Sequence, residues 1–201
     1  MKKIPLSFYH RTDVVQIAKE LLGKIIVTAF DCNLTTGRIT ETEAYVGITD
    51  KASHSFGHRR TARNEDMYGH PGIAYVYICY GMHQMFNIVT NDKDIPDAVL
   101  VRAVEPIEGI DIMLKRTGKK ELDGTLTRGP GNVGKALGIF KHHSGLMLNG
   151  NDIYIMEDKF SLTEEDIGTS IRIGVESAGP DGLLPYRFYI RGNKYVSGSN
   201  R

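Results

Sequence analysis

The stretch that decides the fold is "IAYVYICYGMHQMFNIVT", residues 73–90. Two runs of aromatic and β-branched residues flank Tyr80-Gly81-Met82, and such runs joined by a glycine-bearing turn predict a β-hairpin. Upstream, "KIIVTAF" (24–30) predicts a strand, Asp31 to Thr36 a turn, and the residues through "ETEAY" (41–45) a second strand. Downstream, "DAVLVRAVEP" (97–106) predicts a strand closed by Pro106, with a helix from Ile107 to Thr117. "TDVVQIAKELLG" (12–23) is the clearest helix: Asp13 is a candidate N-cap, Val14, Ile17, Ala18 and Leu21 share a face, and Gly23 can close the end. "RGPGNVGKALGI" (128–139) reads as a turn entering a short helix, and the tail from Ile171 to Val196 as two strands around "SAGPDGLLP". Strands and helices follow one another without regular βαβ alternation. That order predicts an α+β class, one domain over residues 1–201 on a mostly antiparallel sheet.

The chain has 201 residues, enough for a sizeable core, with 41% hydrophobic and 24% charged residues. A formal net charge of +1 excludes a broadly polybasic protein, so any attraction to nucleic acid must come from a local patch. Two cysteines, Cys32 and Cys79, are too few and too unpatterned for a disulfide framework or a zinc site. The N-terminal "MKKIPLSFYHRTD" has no apolar segment of signal type, and no run reaches membrane-spanning length. A reduced, soluble, cytoplasmic protein with no membrane partner is expected.

On a strand, Glu41, Glu43 and Tyr45 of "ETEAY" point to one face and Thr42 and Ala44 to the other, about 6.6 Å apart per step. That row is either a wet outer face or the lining of a pocket. A glutamate beside an aromatic ring can be partly desolvated and act as a general base on water, and a two-carboxylate glycosidase arrangement is also conceivable. Tyr75 and Tyr77 share a face, with Tyr75 read as a core residue. Tyr80, at the hairpin turn, gains nothing from the core and could wedge between stacked bases. The histidines at 54, 58 and 70 match no metal spacing. Arg59, Arg60 and Arg63 form either a phosphate-neutralising cluster or a solvated loop. "TRGPGNVGK" lacks nucleotide-binding order, although a glycine-rich turn opening a helix could hold one backbone phosphate.

Taken together, "ETEAYVGITDKASHSFGHRRTARNEDMYGHPGIAYVYICYGMHQMFNIVT", "DAVLVRAVEPIEG", "RGPGNVGKALGI" and "RFYIRGNKYVS" resemble the alkyladenine (3-methyladenine) DNA glycosylase family, in family order and over nearly the whole chain. The length is similar to that of compact bacterial members. The resemblance implies a curved sheet with flanking helices and a protruding hairpin, double-stranded DNA with damaged purines as partner, and no metal or organic cofactor. A monomer, nucleoid-associated when on DNA, is expected. Residue by residue it implies Glu43 as general base and Arg102 beside the attacking water. Tyr45, His54 and Tyr77 would sandwich a flipped base, Asn87 would crowd the 2-amino group of normal guanine, and Tyr80 would fill the hole in the duplex. Glu41 is left supporting, and no lysine falls at a nucleophile position, so the product would be an abasic site. His83, Gln84 and Met85, and the loop between His54 and the hairpin, depart from the animal pattern. Two other readings remain: a non-catalytic module that binds damaged nucleic acid, and a carbohydrate hydrolase using Glu41 and Glu43.

Overall fold

The structure, a computed structural model, describes residues 1–198. Its strands are β1 (Lys2–Lys3), β2 (Ile25–Phe30), β3 (Asn33–Tyr45), β4 (Ala74–Cys79), β5 (His83–Thr90), β6 (Asp97–Glu108), β7 (Ile153–Glu157), β8 (Ile167–Ser170) and β9 (Arg187–Ile190). Its α-helices are α1 (Leu6–Tyr9), α2 (Val14–Glu20), α3 (Ile110–Thr117) and α4 (Pro130–Leu137). The strands form one antiparallel sheet in the order β1-β7-β2-β3-β6-β5-β4, with β9 joining β3 to β8. The class is α+β.

Alternation along four strands separates two faces. Thr42, Ala44, Val76, Phe86, Ile88, Val99 and Val101 turn toward the core and α2, where Thr42 Oγ1 donates to the Ala18 carbonyl at 2.8 Å. The intervening residues turn the other way. In register, Glu43 pairs with Leu100, Leu100 with Asn87 and Asn87 with Tyr75, which makes one row across β3, β6, β5 and β4. Two compensating bulges interrupt β3 and β6: Thr40 is extra on one strand and Arg102 on the other. Alternation from Leu100 already puts Arg102 on the side of Glu43, where it donates to both acids, and the bulges re-aim what lies beyond, turning Ile39 and Val104 to the core.

Several boundaries differ from the sequence expectation. The turn after β2 is only Asp31-Cys32, with φ of 53° and 60°, a two-residue hairpin whose twist suits antiparallel strands. Asn33, Thr35 and Thr36 look like loop because they are polar, yet the segment pairs with β2. Pro106 does not close β6, which continues to Glu108. Past Leu100 it has β3 on one side and, apart from a bridge at Ala103, an open edge that tolerates proline. Helix α3 therefore starts at Ile110. The tail holds one strand after Ile171, not two; its partner β8 lies before that residue, and "SAGPDGLLP" belongs to a strap running from 171 to 186. Asp13 does cap α2, accepting from Gln16 N at 2.9 Å, whereas Gly23 (φ 79°) turns the chain into β2. Among the described residues no helix is long and apolar enough to cross a membrane.

Candidate active site

The polar face of the β3–β6–β5–β4 row opens into a cavity. An inner slot of about 20 Å³ is walled by Tyr45, His54, Tyr75, Tyr77 and Asn87. It shares Tyr45, His54 and Tyr77 with a wider cleft of about 370 Å³, open to solvent, that reaches Arg102, Tyr80 and the strap at Ile173-Gly174. The cleft is large enough for a base-sized ligand, and its lining combines aromatic rings with a few convergent polar groups, the make-up of a small-molecule site.

Glu43 lies under the cleft floor and is fully buried. Its Oε2 accepts from the Tyr45 hydroxyl at 2.8 Å and from Arg102 Nη1 at 3.2 Å, and its Oε1 accepts from the Ile173 N–H at 2.8 Å. An ionised carboxylate has about four acceptor directions, so these three bonds leave one. Burial, then the charge of Glu43, pushes the Tyr45 hydroxyl well above its ordinary range, so it stays protonated and donates. Burial pulls the Arg102 guanidinium down, and the charges of Glu43 and Glu41 more than offset it.

Glu41, also fully buried, is saturated. Oε1 accepts from Arg187 Nε at 2.6 Å, Ser197 Oγ at 2.7 Å and Arg102 Nε at 3.3 Å, while Oε2 accepts from Ser197 N at 2.8 Å. Both acids of the row are thus interior, and Glu43 adjoins the cleft through Tyr45, Arg102 and Ile173, Glu41 through Arg102 alone.

The His54 ring meets Tyr77 edge-on, with centroids 4.5 Å apart, and its Nδ1 lies 2.9 Å from the Tyr75 hydroxyl. Burial first, and then Arg63 and Arg59, lower its pKa to about 4, so the imidazole is neutral at physiological pH. Burial lifts Tyr77 to about 12. Tyr75 is core-buried as expected, yet it also walls the slot. Asn87 is anchored by its Nδ2, which donates to the carbonyls of Tyr75 at 3.2 Å and Met85 at 3.1 Å. Tyr80 stands at the hairpin tip, 91% exposed, with φ of 50°. Of the loop arginines, Arg60 is neutralised by Glu65 and Asp94, the latter at 2.7 Å, which removes it from any phosphate cluster.

Sequence reading missed Asp50, Arg172, Arg187 and Ser197. Arg187 meets Glu41 across 146 residues and Arg172 meets Asp50 across 122, so no local pattern could signal either pair. Among the described residues no group of three or more His, Cys, Asp or Glu could hold a metal ion.

An antiparallel sheet thus carries a buried carboxylate beneath a slot walled by aromatic rings. The family model described as methylpurine-DNA glycosylase (MPG) matches residues 7–194. The chain is 46% identical to a protein of Clostridium novyi (strain NT) and 43% identical to one of Desulfitobacterium hafniense (strain Y51), each match covering 98% of this chain and 99% of the relative. It is 45% identical to one of Chlamydia abortus (strain DSM 27085 / S26/3), over 93% of this chain and 97% of the relative; all three carry the name "Putative 3-methyladenine DNA glycosylase". The chain belongs to the methylpurine-DNA glycosylase family. It is a DNA glycosylase of base-excision repair, a hydrolase acting on N-glycosyl bonds with DNA as its substrate.

Proposed function

We infer that the protein everts an alkylated or deaminated purine from duplex DNA, stacks it among Tyr45, His54 and Tyr77, and hydrolyses its glycosidic bond with water activated by Glu43. The observation that carries this reading is the remaining acceptor direction on a buried carboxylate that is tied by Tyr45, 2.8 Å away, to the wall of the slot. In the step, the water oxygen bonds to C1′, the bond from C1′ to the purine nitrogen breaks with its electron pair going to the base, and the water proton passes to Glu43. Arg102, 3.2 Å from Glu43 Oε2, orients the carboxylate and the water beside it.

Eversion costs a few kcal/mol, least where pairing is already damaged, and stacking can return about 1–3 kcal/mol per base. An N3- or N7-alkylated purine is cationic and leaves readily, and the neutral His54 imidazole does not repel it. Neutral lesions such as hypoxanthine need protonation to leave. Asn87, held rigid at the centre of the slot wall, crowds the 2-amino group of guanine. Tyr80, exposed on a turn, fills the gap in the duplex. The enzyme works as a monomer and leaves an abasic site.

The test is a panel of duplex oligonucleotides carrying 3-methyladenine, 7-methylguanine, hypoxanthine or 1,N6-ethenoadenine, scored for free base with Glu43→Gln alongside. Release by the unmutated protein and none by the variant is expected. Tight lesion binding without release would instead make it a binding module. Lys51 stands on the outer cleft, so borohydride trapping is included, and a trapped covalent complex would contradict the single-activity reading. The carbohydrate-hydrolase alternative finds no support, because Glu41 has both oxygens committed to Arg187 and Ser197.

A further inference from the structure

Arg172 and Asp50 form an ion pair with side chains 0% and 1% exposed, and neither residue lines the slot or the cleft. The guanidinium donates to both Asp50 oxygens, to the Ala44 carbonyl at 2.9 Å and to the Asp181 carbonyl at 2.9 Å. Its carbon lies 4.8 Å from the centre of the Tyr45 ring. Asp50 in turn accepts from Val46 N at 3.3 Å and Ala52 N at 2.9 Å, closing the loop that leads to His54. Three segments therefore meet on one pair: the strand end bearing Glu43 and Tyr45, the loop bearing His54, and the strap. Ala44 is the residue between Glu43 and Tyr45, and Ile173, whose N–H reaches Glu43 Oε1 at 2.8 Å, directly follows Arg172.

A buried ion pair contributes little net stability compared with apolar residues of the same volume, because both charges lose their hydration. Its planar fork does hold several acceptors in one arrangement, which an ammonium cannot. Here each acceptor of the fork belongs to a segment of the cavity wall.

We propose that Arg172, seated on Asp50, is a positioning residue that sets the aim of Glu43. The proposal rests on the reading of Glu43 given under Proposed function. Arg172 itself touches neither the base nor the water.

Arg172→Lys keeps the charge and loses the fork. Single-turnover release of hypoxanthine from duplex DNA, lesion-duplex Kd and Tm are measured together, with Asp50→Asn as the second variant. The expected result is a folded protein with nearly unchanged Kd and release slowed by roughly 10- to 100-fold, the size of effect that small misplacement of a catalytic group produces. A wild-type release rate with a lowered Tm would mark the pair as purely structural and overturn the proposal. So would a parallel loss of binding and release, or failure of both variants to fold. Glu43→Gln in the same assay separates the two claims: if it releases base normally, the reading of Glu43 falls, whereas if it is inactive and Arg172→Lys is fully active, only the positioning role falls.

Discussion

Glu41 and Glu43 are two residues apart on one strand, on one face, and equally buried, yet their surroundings differ. Glu41 is closed in by Arg187, Arg102 and Ser197, with both oxygens occupied. Glu43 shares Arg102 but is otherwise bounded by the edge of an aromatic slot and a strap amide, with an acceptor direction to spare. Burial and charge do not tell the two acids apart. The count of hydrogen bonds already made does: a saturated carboxylate holds structure, and an unsaturated one beside a cavity can do chemistry.

Substitutions that break one neighbourhood and spare the other sharpen this contrast. The largest effect on stability is expected from Glu41→Ala, which leaves Arg187 buried and unpaired, at a cost of about 3–5 kcal/mol. Urea unfolding reads it, and per folded molecule the variant keeps most of its base release. Tyr45→Phe retains the ring and removes the 2.8 Å hydrogen bond to Glu43, a bond to a charged group worth about 1.5–3 kcal/mol. Slower single-turnover release with little change in lesion binding is expected; weakened binding at an unchanged rate would assign the hydroxyl to base recognition instead. Tyr80→Ala leaves Tm unchanged, since the side chain is 91% exposed, and weakens lesion-duplex binding by about 1–3 kcal/mol if the ring stacks in the helix. Fluorescence anisotropy measures the difference.

The last contrast is a pH dependence. The His54 pKa falls from 6.5 to about 4 in the folded protein, chiefly through burial. Between those values the unfolded chain binds more protons, so the stability that His54 contributes is complete above pH 6.5 and declines as pH falls toward 4. Asp97 acts oppositely: burial raises its pKa from 3.8 to about 6, and stability falls as pH rises through that window. Subtracting the pH–stability profile of His54→Gln from that of the wild type cancels Asp97. The difference should slope only between about pH 4 and 6.5; a flat difference would contradict a buried neutral imidazole.

Much of the frame was legible because it is local. Alternation put Glu43 with Tyr45 and Tyr75 with Tyr77 on shared faces, the aromatic runs marked the β4–β5 hairpin, and Asp13 marked the start of α2. "NDIYIMED" also alternates, with Ile153 and Ile155 buried, so β7 was available to the same reasoning and was overlooked. What was not legible is register and long-range pairing. Nothing in the neighbourhood of Glu43 announces that it shares a row with Leu100, Asn87 and Tyr75. Nothing around Arg102 marks it as a bulge residue. Polar strand residues such as Asn33, Thr35 and Thr36 carry no apolar signal, and Pro106 misleads because edge position is a property of the whole sheet. The roles given to His54, Asn87 and Arg102 came from family resemblance, that of Tyr80 was also suggested by its place at the hairpin turn, and geometry adds the cavity they line.

The most direct test compares Glu43→Gln with Glu41→Gln in one experiment, recording base release from a hypoxanthine duplex and Tm for each. Glu43→Gln should release base at least about 100-fold more slowly while melting close to wild type, and Glu41→Gln should melt lower while its folded fraction still releases base. Normal release by Glu43→Gln, or equal loss of activity in both variants at unchanged Tm, would contradict the division of labour between the two acids.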